Sequence, residues 1–257
     1  MSEIPTDNWD VFDARLRDAV GHLPQAIRYR AENAFAGFDK ARSLFPIDRE
    51  MASFRAITAE EEAAAALIRS LQLRAYPGAE RLDLKLHQHK VAVSIFLSAV
   101  QHALAVDGEF TISVQITSNP PSIRVSLPMS QFTNAPELRD LRLELADPLA
   151  GVVTRPGVKP EEYFDAALSK VAGSTKVDKH IARAANARNT LLYAHDSGLP
   201  ESKATLEGIE TRARRGRLCI ILSVAVLQVP HHQAFASHCL GGLLKVIGRT
   251  PPETLIT

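Results

Sequence analysis

Apolar side chains recur three and four positions apart along much of this chain. That spacing fits an α-helix with one buried face. From Trp9 the series runs through Phe12, Leu16, Ala19, Val20 and Leu23 to Pro24, where a helix must break or kink. It resumes through Ile27, Ala31, Ala34, Phe35, Phe38 and Ala41 and ends at Pro46, with Arg28, Arg30, Glu32, Asp39, Lys40 and Arg42 on the other face. Asp48 to Ala75 predicts one or two further helices. Within it, Thr58 with Glu61 fits a capping box just before an alanine-rich helix from Ala59 to Leu73. Glu60, Glu61 and Glu62 would then fall in a first turn, where carboxylates complement the helix dipole. Tyr76-Pro77-Gly78 is a turn, and Leu82 to Val106 predicts the next long helix, with Leu86, Val93, Ile95, Phe96, Val100 and Leu104 as core candidates.

From Asp107 to Met129 the period changes. Phe110, Ile112, Val114 and Ile116 alternate with polar residues, and Ile123 to Leu127 alternates again after the Asn119-Pro120-Pro121 turn. This predicts a β-hairpin or a pair of neighbouring strands. Two strands are marginal alone, so they must rest on the helices or on a partner chain. A lid, a dimer arm and a protein-docking edge all fit such an insertion. One short helix is expected near Glu137 to Leu145. Gly151 to Gly157 lacks the lysine and hydroxyl of a phosphate loop. Pro160-Glu161-Glu162 opens a helical run from Tyr163 to Ala172, Gly173-Ser174 breaks it, and another helix begins near Val177. Beyond Pro200, Ser202 to Val229 predicts a long helix, basic first and apolar later. The last helix is expected to start at His231-His232 and to pass through Phe235, Cys239, Leu243, Leu244 and Val246. The expected fold is mainly α, an antiparallel helical bundle with a small β-hairpin insertion. Residues 1–106 form its N-terminal half, 107–157 the insertion and 158–257 its C-terminal half.

Composition narrows the function classes. A chain of 257 residues suits one large domain or two small ones, and 46% apolar residues are ample for a core. A formal net charge of +1 gives no global argument for nucleic-acid binding, so any such surface must be local. Cys219 and Cys239 both sit in apolar helical runs and read as buried thiols of a reducing cytosol. The acidic, polar start MSEIPTDNWD does not read as a signal peptide. The longest apolar run, Leu218 to Val229, stops at Pro230, short of the roughly 20 residues that span a bilayer, so no membrane partner is expected. His87 and His89 lie two apart on a helix and face different sides, so no metal pair forms there. There is no G-x-S-x-G, Cys-x-x-Cys, H-E-x-x-H or dinucleotide glycine fingerprint, and neither metal nor cofactor is expected.

The stretch with chemical content is Ile181 to Pro200, IARAANARNTLLYAHDSGLP. Gly198 and Pro200 supply a helix stop. Arg188 and His195 stand seven residues apart, nearly two turns at about 3.6 residues each, so a continuous helix would point both the same way. Arginine holds a phosphate through two parallel hydrogen bonds. Histidine moves a proton near neutral pH. Such a pair suits cleavage of RNA without a metal: the imidazole takes the 2′-hydroxyl proton and the guanidinium stabilises the phosphorane. The alternative is a surface helix on which Arg188 pairs with a carboxylate and His195 caps the last carbonyls. Around this stretch, Lys176 to Arg217 carries nine basic residues against five acidic ones. Arg183, Lys203, Arg212, Arg214 and Arg215 are therefore candidates for contact with nucleic acid, or else a solvated helix face.

Arg188-Asn189-x5-His195 resembles the R-(N/polar)-x(4–6)-H pattern of the HEPN superfamily. RNTLLYAHDSGLP is similar to the R-x-x-x-L-Y segment of abortive-infection HEPN proteins, and the His89-Lys90 pair on the second long helix adds to the likeness. The resemblance covers about two-thirds of the chain, is strongest over Arg188 to Pro200, and leaves out the β insertion. It implies a ribonuclease of toxin–antitoxin or phage-defence systems, a hydrolase acting on RNA as a cytoplasmic homodimer. Arg188 and His195 would be catalytic, with Asn189 orienting the backbone or the histidine and Tyr193 helping to position the site. Glu61 or Glu62 would orient Arg188. A non-catalytic HEPN-like module that binds nucleic acid, nucleotide or protein through the same face is the other reading. Arg188 and His195 exposed in one cleft would favour the enzyme, and Arg188 locked in an internal salt bridge the binder.

Overall fold

Proline and glycine punctuate the chain much as their chemistry requires. In the computed structural model, residues 9–105, 113–131, 135, 141–151, 162–193 and 203–249 are described. They form eight α-helices: α1 (Trp9–Gly21), α2 (Gln25–Leu44), α3 (Arg49–Leu73), α4 (His87–Ala105), α5 (Asp165–Ala172), α6 (Val177–Thr190), α7 (Leu206–Gln228) and α8 (Ala234–Val246). A three-stranded antiparallel sheet, in the order β1 (Ser113–Ser118), β2 (Pro121–Pro128) and β3 (Arg142–Glu144), completes the fold. The protein is mainly α with a small sheet. No helix among the described residues is long and apolar enough to cross a membrane. Both cysteines are free, and burial pushes both thiols up.

One continuous apolar core joins helices from both ends of the chain, with Leu16, Ile27, Ile68, Phe96, Ile220 and Leu244 all buried in it. The centre is α3, which packs between α2 and α7. Its buried face is largely alanine, including Ala56, Ala59, Ala63 and Ala66. Such small side chains let neighbouring backbones come close. A Cβ added at Gly37 of α2 would lie 2.7 Å from Ala59 Cβ, and that methyl is fixed to the α3 backbone. Gly37→Val is therefore expected to force α2 and α3 apart and to cost about 3 kcal/mol, read as a drop in the urea midpoint.

The sheet lies against α1 and α7. Ile116, Ile123, Val125 and Leu127 supply its buried face. The Gln228 side chain extends the pairing into the helices: Ile123 N–H donates to its Oε1 at 2.7 Å, and its Nε2 donates to Ile123 O at 3.1 Å.

Outside α6 and α7, four boundaries differ most from the sequence expectation. The helix expected over Glu137 to Leu145 is replaced in its second half by β3, whose Glu144 pairs opposite Ser126. The open edge of β2 needs hydrogen-bond partners, and that tertiary demand overrides a weak local helical signal. Residues 137–140 of that expectation lie outside the described residues, as do Phe110 and Ile112. Helix α4 begins at His87 rather than Leu82, because Gly78 turns in the left-handed region at φ 90° and a short 3-10 turn follows over Ala79–Arg81. Helix α8 begins at Ala234, not at His231-His232; His231 pairs with Asp147 and His232 bonds the Arg74 carbonyl.

The fourth difference concerns α3, which starts at Arg49 and runs unbroken for 25 residues. Asp48 caps it, its Oδ1 accepting from Met51 N–H at 2.8 Å. Thr58 is interior, and its hydroxyl donates to the Arg55 carbonyl at 3.0 Å. The capping box at Thr58 is therefore not used. Glu60, Glu61 and Glu62 sit in mid-helix, where the dipole argument does not apply.

Candidate functional site

Successive residues on a helix point about 100° apart, so Glu60 and Glu61 address different neighbours from the middle of α3. Both are buried, at 4% and 5% exposure. A buried carboxylate is costly unless paired. Each is the centre of an ion cluster built from other helices.

Glu60 faces α7. Its Oε2 accepts from Arg212 Nη1 at 2.5 Å and its Oε1 from Arg215 Nε at 2.5 Å. Burial alone would push the Glu60 carboxyl up, but Arg215 and Arg212 outweigh it and hold it below the usual carboxylate range. Burial works against the Arg215 charge as well, and Glu60 overrides that, raising the guanidinium.

Glu61 faces α4 and α6. Its Oε2 lies 2.7 Å from His87 Nδ1, 3.3 Å from Lys90 Nζ and 3.8 Å from Arg188 Nη1. Its Oε1 is buried and without a hydrogen-bond partner among the described residues. Against a carboxylate, which can only accept, His87 Nδ1 is the donor of this contact. The Lys90 side chain is 11% exposed and held, whereas those of His87 and Arg188 are 35% and 26% exposed. Three helices thus meet at one buried carboxylate ringed by an imidazole, an ammonium and a guanidinium. Arg188 is paired beyond hydrogen-bond distance, and about a quarter of its side chain is exposed.

Of the residues singled out in the sequence, Glu61 and Arg188 are brought together, while Glu62 is half-buried and not in that pair. Asn189 is exposed and donates from Nδ2 to Asn186 Oδ1 at 3.0 Å. Tyr193 is 66% exposed. Helix α6 ends at Thr190, so the helical spacing that set His195 on the face of Arg188 does not reach that residue, which lies outside the described residues. His89 does not join the site. It is buried and its Nδ1 accepts from Asp83 N–H at 2.8 Å, and burial followed by Arg249 lowers its affinity for a proton. The two α4 residues at Glu61 are His87 and Lys90, one helical turn apart. The spacing of three was the signal that would have found them.

The five basic candidates divide. Lys203, Arg212 and Arg215 line one open groove between α3, α6 and the start of α7. Arg183 is exposed on α6 with its Nη2 3.4 Å from His180 Nδ1, and Arg214 is exposed with its guanidinium on Thr211 Oγ1. Neither lines the groove.

No family model, curated protein or solved structure matches the chain. The class that fold and site define is a mainly helical protein with a paired buried carboxylate and a partly exposed arginine at a three-helix junction.

Proposed function

We propose that this protein is a metal-independent endoribonuclease of the HEPN type, working as a cytoplasmic homodimer in stress response or phage defence. The observation that carries the reading is the placing of Arg188 at the buried Glu61, beside His87 and Lys90, with a quarter of its side chain open to solvent. In this reading Arg188 binds the scissile phosphodiester and His195 takes the proton of the 2′-hydroxyl. The 2′-oxygen attacks phosphorus, the 5′-oxygen leaves and takes up a proton from a protonated group of the site, and the products are a 2′,3′-cyclic phosphate and a 5′-hydroxyl. Asn189 and Tyr193 flank the reacting strand.

The second reading, a non-catalytic HEPN-like binding module, is favoured by the inward half of the same contact. Part of the Arg188 charge is directed at Glu61. Incubating the purified protein with mixed cellular RNA in EDTA separates the two. Arg188→Ala and His195→Ala are each expected to slow cleavage by about 100-fold or more, with unchanged circular dichroism. If the wild-type protein cleaves nothing yet retains RNA, the binding module is the correct reading.

A further inference from the structure

The groove beside α6 has a volume of about 580 Å³, within the range of sites for small ligands. Ala187 and Thr190 of α6 and Leu191 just beyond it line it, and Arg188 is their neighbour in sequence. Its lining is mixed in chemistry. Ile57 and Leu191 are apolar. The lining also carries Lys203, Arg212 and Arg215, against the single carboxylate Glu207. Buried Glu60 neutralises one charge of the two arginines that share it. Counting Glu60 and Glu207 against the three cations leaves one net positive charge in this lining. The first turn of α7, capped by Thr205 Oγ1 on Gly208 N–H, also lines the groove and adds its dipole.

We propose that this groove binds a nucleotide phosphate, held by Arg212, Arg215 and Lys203, with the base against Ile57 and Leu191. Glu60 is the positioning residue: it fixes both guanidiniums toward the groove so that little side-chain entropy is lost on binding. The inference rests on the reading of this chain as acting on RNA and gives that reading a substrate subsite on the segment that carries Arg188. A phosphodiester within a strand and a free nucleotide share the chemistry.

The test uses the full chain and a short fluorescein-labelled 2′-O-methyl oligouridylate, which lacks the attacking hydroxyl, so binding is read without cleavage. Arg212 and Arg215 hold a buried carboxylate, so the variants are placed at the exposed Lys203 and Glu207 instead. Lys203→Glu is expected to weaken binding about tenfold and to flatten the salt dependence by about 0.7 in log–log slope. Glu207→Gln is expected to tighten it about threefold, a gain that a merely structural role would not produce. Competition by uridine 5′-monophosphate at comparable affinity identifies a mononucleotide site. Binding of the oligonucleotide alone identifies a strand site. Affinity unchanged in both variants, or no binding of either probe, overturns the inference. Cleavage of ordinary RNA in EDTA that persists alongside such a result leaves the ribonuclease reading standing, whereas groove-dependent binding without cleavage removes that reading and keeps the groove.

Discussion

Glu60→Gln is expected to lower the melting temperature by about 6–12 °C, the consequence of roughly 3 kcal/mol in a domain of this size. The cost comes from what the substitution leaves behind. Arg212 and Arg215 are only 34% and 27% exposed, and both lose the one carboxylate that compensates them. The effect is expected to depend on pH with a definite sign. The folded Glu60 carboxyl sits below its usual range, because the two guanidiniums outweigh burial. On acidification the unfolded chain therefore takes up a proton that the folded chain refuses, and stability falls. The contribution is whole above the ordinary carboxylate pKa of about 4.3 and is lost as pH drops through the depressed folded value. Thermal unfolding of wild type and Glu60→Gln between neutral and acidic pH should thus show two curves that converge as the pH falls. A gap that stays constant across that range would assign the loss to packing instead of charge. Glu210, lowered by its hydrogen bond from Arg42, titrates in both proteins and cancels in the comparison.

How much of this was legible beforehand follows the range of the forces involved. Helices α1 and α2 are written locally: apolar residues at helical spacing, with Pro24 between them and Pro46 beyond. The α7 start expected at Ser202 is too early; the helix begins at Leu206 behind a Thr205 cap whose Oγ1 accepts from Gly208 N–H. Where two local signals compete, the outcome is tertiary. The capping box read at Thr58 is overridden: α3 starts earlier, behind the Asp48 cap, because its alanine face is buried from Ala52 onward. Strand β3 is only three residues long, and its pairing partner lies far back in the chain. The site divides the same way. A link between Glu61 and Arg188 was expected from resemblance, and the two are 3.8 Å apart. Lys90 was singled out with its neighbour His89, but its companion at Glu61 is His87, because residues three or four apart share a helix face and adjacent ones do not. The Glu60 arginines and the groove depend on how α3, α6 and α7 assemble, which no single segment encodes.

The Glu61 cluster yields the second large effect, and it separates a fold role from a positioning role. Glu61→Gln removes the charge that compensates Lys90, whose side chain is 11% exposed, and about 3 kcal/mol of stability is expected to go with it. Under the proposed ribonuclease reading, cleavage is expected to fall about tenfold or more, because Arg188 is no longer drawn toward α3. These two losses have different origins, so a second substitution parts them. Adding Lys90→Met removes the stranded ammonium and puts an apolar side chain of similar length among α3 and α4. Replacing both members of a buried pair by neutral groups is close to energetically neutral, so the double variant is expected to recover most of the melting temperature. It restores no carboxylate to Arg188, and cleavage is expected to stay low. Recovery of both stability and cleavage would show that Glu61 serves the fold alone and that Arg188 is oriented by something else. Recovery of stability without activity would make Glu61 the residue through which α3 aims the guanidinium, and that would also explain why a buried acid is kept at a place where an apolar pair would fold as well.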